Sequence, residues 1–143
     1  NSIFVAGFIG HPAMNLLPIT LERDHVIFGN GNKLGRFISQ PSVVRGVEAV
    51  LGVRPESLTL IDHGSHDLYG DVALIEHIEP YVLVHIRTEG HRLLVKASSR
   101  DDLRVGQPLG VKIDYRTARL FDAQTGSKLT GFSISDDENT LVV

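Results

Sequence analysis

The sequence predicts an all-β barrel or sandwich preceded by one short helix. Three observations point there. Apolar runs are short and are closed by Gly, Pro, Asn or Asp about every eight to twelve residues. "YVLVHIR" and "HRLLVKA" flank "TEG" as a hairpin, with Val82, Val84 and Ile86 on one face and His85 and Arg87 on the other. A faint internal echo, "LGVR" at 51–54 and "LGVK" at 109–112, follows a glycine turn each time, at Gly46 and Gly106.

The elements follow in order. Asn1 or Ser2 caps a short helix, with Phe4, Val5, Phe8 and Ile9 on one side, and Gly10 and Pro12 end it. "MNLLPITLE" and "DHVIF" read as strands, then the turn-rich "GNGNKLG" leads to the short run "RFIS". "AVLGVRP" is a strand closed by Pro55, and "ESLTLID" leads into the loop "HGSHD". "YGDVALIEHI", the hairpin, "PLGVKIDY" and "ARLFD" complete the strand set, with "SSRDDL" as a polar link containing at most one helical turn. The stretch "SISDDENTLVV" reads as an acidic, irregular, loosely held tail until its last three residues.

The first formally charged residue is Glu22, which raises the question of a leader or membrane span. No Lys or Arg precedes the apolar stretch, as a secretory signal requires. Gly7, Gly10, His11, Pro12, Asn15 and Pro18 interrupt it, so an unbroken membrane helix of about 20 residues is not expected. The chain begins with Asn1 rather than Met, and this end reads as buried fold entered in mid-protein.

At 143 residues, the chain is long enough to bury one substantial core. Fourteen Lys and Arg against 17 Asp and Glu give a formal charge of −3, the wrong sign for a nucleic-acid binder. The aromatic content of 6% is also thin for base-stacking platforms. With no cysteine there is no disulfide framework, thiolate metal site or cysteine nucleophile, which fits a reducing cytoplasm.

Sites of chemistry are scarce. In "GNGNKLG" the third glycine comes one place late for a dinucleotide fingerprint and no helix follows, so a hairpin turn is expected. "DHGSHD" carries Asp62, His63, His66 and Asp67, but on a connection without fixed metal-ligand spacing, so a solvated loop is expected. No GxSxG elbow occurs, and strand alternation separates Glu76 from His77. "GVRPESL" is more informative. Pro55 keeps Arg54 extended and suits the first position of a helical turn, where Glu56 meets the positive end of the dipole. Arg54 is thus held at a corner as a structural clasp or an interface anchor.

Taken together, "FVAGFIGHPAMNLLP", "LGVRPESL" and "ARLFDAQTG" resemble the C-terminal regulatory segment of ATP-binding subunits of carbohydrate-importing ABC transporters, of the maltose- and glycerol-phosphate-importer type. The resemblance runs from about Phe4 to Leu129. It implies OB-like (TOBE-like) β-barrels appended to an ATPase domain that lies before this chain, carries the catalytic motifs and binds ATP and Mg. Residues 1–12 then form the joint to that domain, 13–132 the regulatory β-domain and 133–143 the acidic tail. Phe4, Gly7, Gly10 and Asn15 match the joint motif, Gly52, Arg54, Pro55 and Glu56 the "GxRPE" corner, and Leu120, Phe121 and Asp122 the late strand. No catalytic, cofactor or metal residue is carried over.

The implied role is non-catalytic regulation and pairing. The expected partners are a second copy, the ATPase domain, transmembrane permease subunits and, in some members, a regulatory protein, at the cytoplasmic face of the membrane. One departure is "EHIEPY", where Glu79 stands in place of a usual glycine and the turn is expected to be rebuilt around Pro80. The alternatives are an oxyanion-binding β-domain of the molybdate type, whose motif is missing, and a single-stranded nucleic-acid binder.

Overall fold

The computed structural model describes residues 14–22, 24–29, 31–39, 47–130 and 132–135, with the backbone alone at 37–39 and 47. The expected helix at the start, and the joint residues Phe4, Gly7 and Gly10, lie outside the described residues. The described chain is mainly β, in OB-like curled sheets, and divides into two compact units, residues 1–52 with 115–143 and residues 53–114.

In the first unit, β1 (Asn15–Glu22), β2 (His25–Phe28), β3 (Asn32–Ser39), β4 (Val47–Val53), β10 (Arg119–Asp122) and β11 (Phe132–Ser135) form a six-stranded sheet ordered β10-β4-β1-β2-β3-β11. Period-2 alternation in β1 sends Leu17, Ile19 and Leu21 inward and Leu16, Pro18 and Glu22 outward. Gly29 and Gly31 take positive φ in the β2–β3 connection, so "GNGNKLG" opens as a hairpin turn. That turn is shorter than expected, because Asn32–Gly35 already belong to β3. Gly35 sits where a β-carbon would meet the Ser135 carbonyl oxygen at 2.8 Å, which explains the absence of a side chain there.

Two expectations fail here. The tail does not become irregular at Ser133: Phe132–Ser135 pair antiparallel with residues 36–39, and Ile134 is buried. Alternation was too short in four residues to announce a strand, and the pairing comes from β3 instead. "PLGVKIDY" also ends early, at Ile113, and Tyr115–Thr117 form a 3-10 turn whose buried Tyr115 hydroxyl donates to the Leu34 carbonyl at 2.7 Å.

In the second unit, β5 (Leu58–Ile61), β6 (Leu68–Ile78), β7 (Tyr81–Thr88), β8 (His91–Ser98) and β9 (Pro108–Ile113) form a five-stranded antiparallel sheet ordered β5-β9-β6-β7-β8. Its core contains Val72, Val82, Val84, Ile86, Leu93, Val95 and Val111, all almost completely buried. Each such side chain stabilises the fold by about 1.5–3 kcal/mol. The β7–β8 hairpin closes through Glu89 and Gly90, both at positive φ, as a type I′ turn requires. The β6–β7 turn is built on a cis Glu79–Pro80 peptide, the arrangement of a type VI turn.

"SSRDDL" contains no helical turn. Instead Arg100 folds back on Asp102, and Arg104 donates to the carbonyls of Asp101 and Leu103. Gly106 takes positive φ before β9. The two echo segments share a packing device: a β-carbon at Gly52 would meet Met14 Sδ at 2.5 Å, and one at Gly110 would meet His66 Cβ at 2.8 Å. Among the described residues, no helix is long and apolar enough to cross a membrane.

Candidate functional site

The "GVRPE" corner forms as local chemistry dictates. Arg54 is extended at φ −74° and ψ 150°, Pro55 occupies the first position of a 3-10 turn over Pro55–Ser57, and the Ser57 amide donates to the Arg54 carbonyl at 3.0 Å. Pro55 is buried, whereas Arg54 and Glu56 are exposed. Glu56 stands in the first turn, where a carboxylate complements unsatisfied amides. The Asp114 amide donates to the Ser57 carbonyl and ties the end of β9 to this corner.

From the corner an open groove of about 320 Å³ runs along the second unit's surface. Glu56, Leu58 and Leu60 line it on one side, and Lys96, Ser98 and Arg100 on the other. β5 and β8 are the two outer strands of the five-stranded sheet, so the groove follows its seam.

Arg100 is the best-anchored cation of this region. Its Nε and Nη2 donate to the two carboxyl oxygens of Asp102 at 2.7 and 2.6 Å, and Nη2 also reaches Asp62 at 3.1 Å. This bidentate pairing holds the Asp102 carboxyl down at about 2 and raises the guanidinium further above its ordinary value. Asp102 is exposed, so the cluster orients side chains more than it stabilises the fold. Lys96 lies over the Tyr81 ring, 4.2 Å from its centre.

The other motif residues fall in the first unit. "LFD" and "LGV" lie on adjacent antiparallel strands, with Leu120 opposite Leu51, Phe121 opposite Val50 and Asp122 opposite Ala49. Gly52 is opposite Arg119, and Met14, Val50 and Phe121 form a buried cluster beside it. Leu120 is fully buried. Asp122 accepts the Gln124 and Thr125 amides at 2.8 and 2.9 Å, which pulls its carboxyl below the usual range. It therefore organises a turn. Asn15 is 93% removed from solvent in β1. Gly52, Leu120, Phe121 and Asp122 are thus brought together, while Arg54, Pro55 and Glu56 form the separate corner of the second unit.

"DHGSHD" is solvated over residues 62–66, but the expectation of a wholly solvated loop fails at its end. Asp67 is 8% exposed and accepts the Ile113 amide at 2.7 Å, locking the start of β6 to β9. His66 packs against Gly110 and beside Tyr69, ring centres 5.2 Å apart. Among the described residues, no group of three or more His or acidic side chains is arranged to hold a metal ion.

Sequence reasoning also missed the bonds of Arg100 to its aspartates and the pairing of His85 with Glu76, whose nitrogen and oxygen lie 2.7 Å apart. A signal for the second was present. A two-residue turn at Glu79–Pro80 places Glu76 opposite Leu83, hence diagonally beside His85.

Comparison with known proteins places these features. Residues 51–121 match the family described as TOBE domain. The sn-glycerol-3-phosphate import ATP-binding protein UgpC of Bordetella parapertussis is 36% identical over 137 residues, covering 91% of this chain and 37% of that protein. UgpC 1 of Rhizobium johnstonii is 32% identical, covering 87% of this chain and 34% of its own length. YcjV of Escherichia coli O157:H7, an uncharacterized ABC transporter ATP-binding protein, is 27% identical over 130 residues, covering 87% and 36%. The chain therefore spans little more than a third of the length of the curated relatives it matches. Among solved structures, the cytoplasmic molybdate-binding protein ModG, with molybdate bound, aligns with a TM-score of 0.58 at 16% identity, covering 85% of this chain and 96% of that one. That likeness is one of fold.

Proposed function

Because this chain belongs, by residues 51–121, to the TOBE-domain family, we propose that it is the non-catalytic regulatory and dimerisation part of an ATP-binding subunit in an ABC importer for sugars or related solutes. The observation that carries this reading is the similarity to importer ATP-binding proteins over 91% of the chain. In that role the chain hydrolyses nothing itself. ATP and Mg are held by a separate ATPase domain of the same subunit, which drives uptake through permease subunits at the cytoplasmic face of the membrane.

The residues suit such a task. Arg54, Pro55 and Glu56 form a rigid, solvent-facing corner, and Asp122 and Arg100 immobilise exposed connections through charge-assisted bonds. A β scaffold with fixed corners transmits position and needs no reacting group of its own.

ATP turnover measured on this chain and on the longer subunit containing it tests the reading. The longer subunit is expected to hydrolyse ATP and the chain alone to show none; hydrolysis by the chain alone overturns the proposal. Calorimetry with molybdate supplies the control suggested by the ModG fold, with no heat of binding expected.

A further inference from the structure

The outer face of β6, β7 and β8 carries a charge pattern that changes sign from one side to the other. Val82, Val84 and Ile86 of β7 point into the core, so Tyr81, Leu83, His85 and Arg87 point outward. Residues directly opposite share a face, which gives four outward rows across the three strands. They are Asp71–Arg87–Arg92, Leu74–His85–Leu94, Glu76–Leu83–Lys96 and Ile78–Tyr81–Ser98. The β6 side thus bears two acids and the β8 side two bases. Leu74 and Ile78 add apolar surface to this face, being 44% and 40% exposed.

We propose that this face binds the same face of a second copy about a two-fold axis running along β7. This rests on the pairing role proposed above and adds where the pairing occurs. An axis lying between two stacked sheets and parallel to β7 exchanges the β6 and β8 sides. Glu76 of each copy then faces Lys96 of the other, Asp71 faces Arg92, Leu74 faces Leu94, and Leu83 meets Leu83. Isologous contacts demand such self-complementarity, and a sheet face with its acids and bases intermixed would lack it.

Within one copy, Glu76 and Lys96 are two strand spacings apart, about 9.6 Å, so neither side is already neutralised by the other. Glu76 is held toward His85 and Lys96 over Tyr81, which fixes both charges in place. Arg87 lies on the axis strand and meets its own copy, with Asp71 as its cross-strand neighbour to offset it. Three strands and four rows cover about 14 by 27 Å. That is about half of the 800 Å² per partner typical of stable complexes, so the contact is weak and concentration-dependent.

Sedimentation equilibrium of the full chain at low salt provides the test, with Lys96→Glu and Glu76→Lys made separately. Each variant alone places like charges across the axis and is expected to weaken self-association about tenfold. An equimolar mixture of the two places Lys against Glu at every such contact and is expected to recover the parent affinity. Thermal unfolding of each variant confirms that the monomer is intact. A parent that associates while the single variants are unaffected, or a mixture that fails to recover, overturns this face and leaves the pairing role standing. A parent that stays monomeric at about 1 mM overturns both.

Discussion

The two units reach similar sheets by different routes. The second unit uses one continuous segment, residues 53–114, and most of its strands pair with a near neighbour in sequence: β6 with β7 across two residues, and β7 with β8 across two more. The first unit is assembled from segments at both ends of the chain. β10 must find β4, β11 must find β3, and the Tyr115 hydroxyl bonds a carbonyl 81 positions away. Closing longer loops costs more chain entropy, though only slowly with length. The difference teaches where local rules suffice. Hairpins announce themselves, whereas strands joined through distant segments depend on surfaces built elsewhere.

Glycine packing gives the largest effect that separates the two. A β-carbon at Gly70, in β6, would collide with the Arg87 carbonyl oxygen, and backbone in a paired strand has nowhere to move. Gly70→Ala is expected to destabilise by about 2–4 kcal/mol, read as a lower denaturation midpoint at unchanged slope. At Gly52, in β4 of the first unit, the first obstacle is the flexible Met14 side chain. Gly52→Ala is therefore expected to cost clearly less, because Met14 has rotamers to which it can retreat. Equal costs would break the comparison.

A smaller effect probes the long-range closure of the first unit. Tyr115→Phe removes a buried hydroxyl donor to Leu34 and is expected to cost about 1 kcal/mol. Amide hydrogen exchange should show the loss in β3, beside the orphaned carbonyl. Unchanged exchange there would mean that this bond does not hold the returning segment.

The smallest effect is electrostatic and belongs to the second unit. The Asp102 carboxyl is expected to titrate near 2, and Arg100→Ala should return it to the ordinary carboxylate range of about 3.9. A folded-state value below the unfolded one contributes stability above the unfolded value. That contribution fades as the pH falls through the folded one, so the cluster weakens between about pH 4 and pH 2. Carboxyl chemical shifts followed by NMR measure both values.

Much of the fold was legible because its signals are local. Alternation marked β7, glycine-containing runs marked the turns at Gly29, Gly31 and Gly90, and Pro55 marked the extended Arg54 before a helical turn. The motif residues were legible as types, yet their companions were not. Nothing near Asp67 says that its carboxylate will accept an amide from Ile113, and nothing near Asp62 names Arg100, 38 positions on. β11 was missed for the same reason: four residues carry too little alternation to be read without their partner strand.

The sequence by itself determined the β character, the tight turns, the Arg54–Pro55–Glu56 corner and the kinship of the chain with importer subunits. These follow from backbone dihedral preference, side-chain alternation and ordered motifs, all written within a few residues. Tertiary structure alone decided the split into two units, the Arg100 clasp, the burial of Asp67 and the sign-changing face of β6, β7 and β8. Each of these depends on register between strands, and register is set by which surfaces are buried together across the whole sheet.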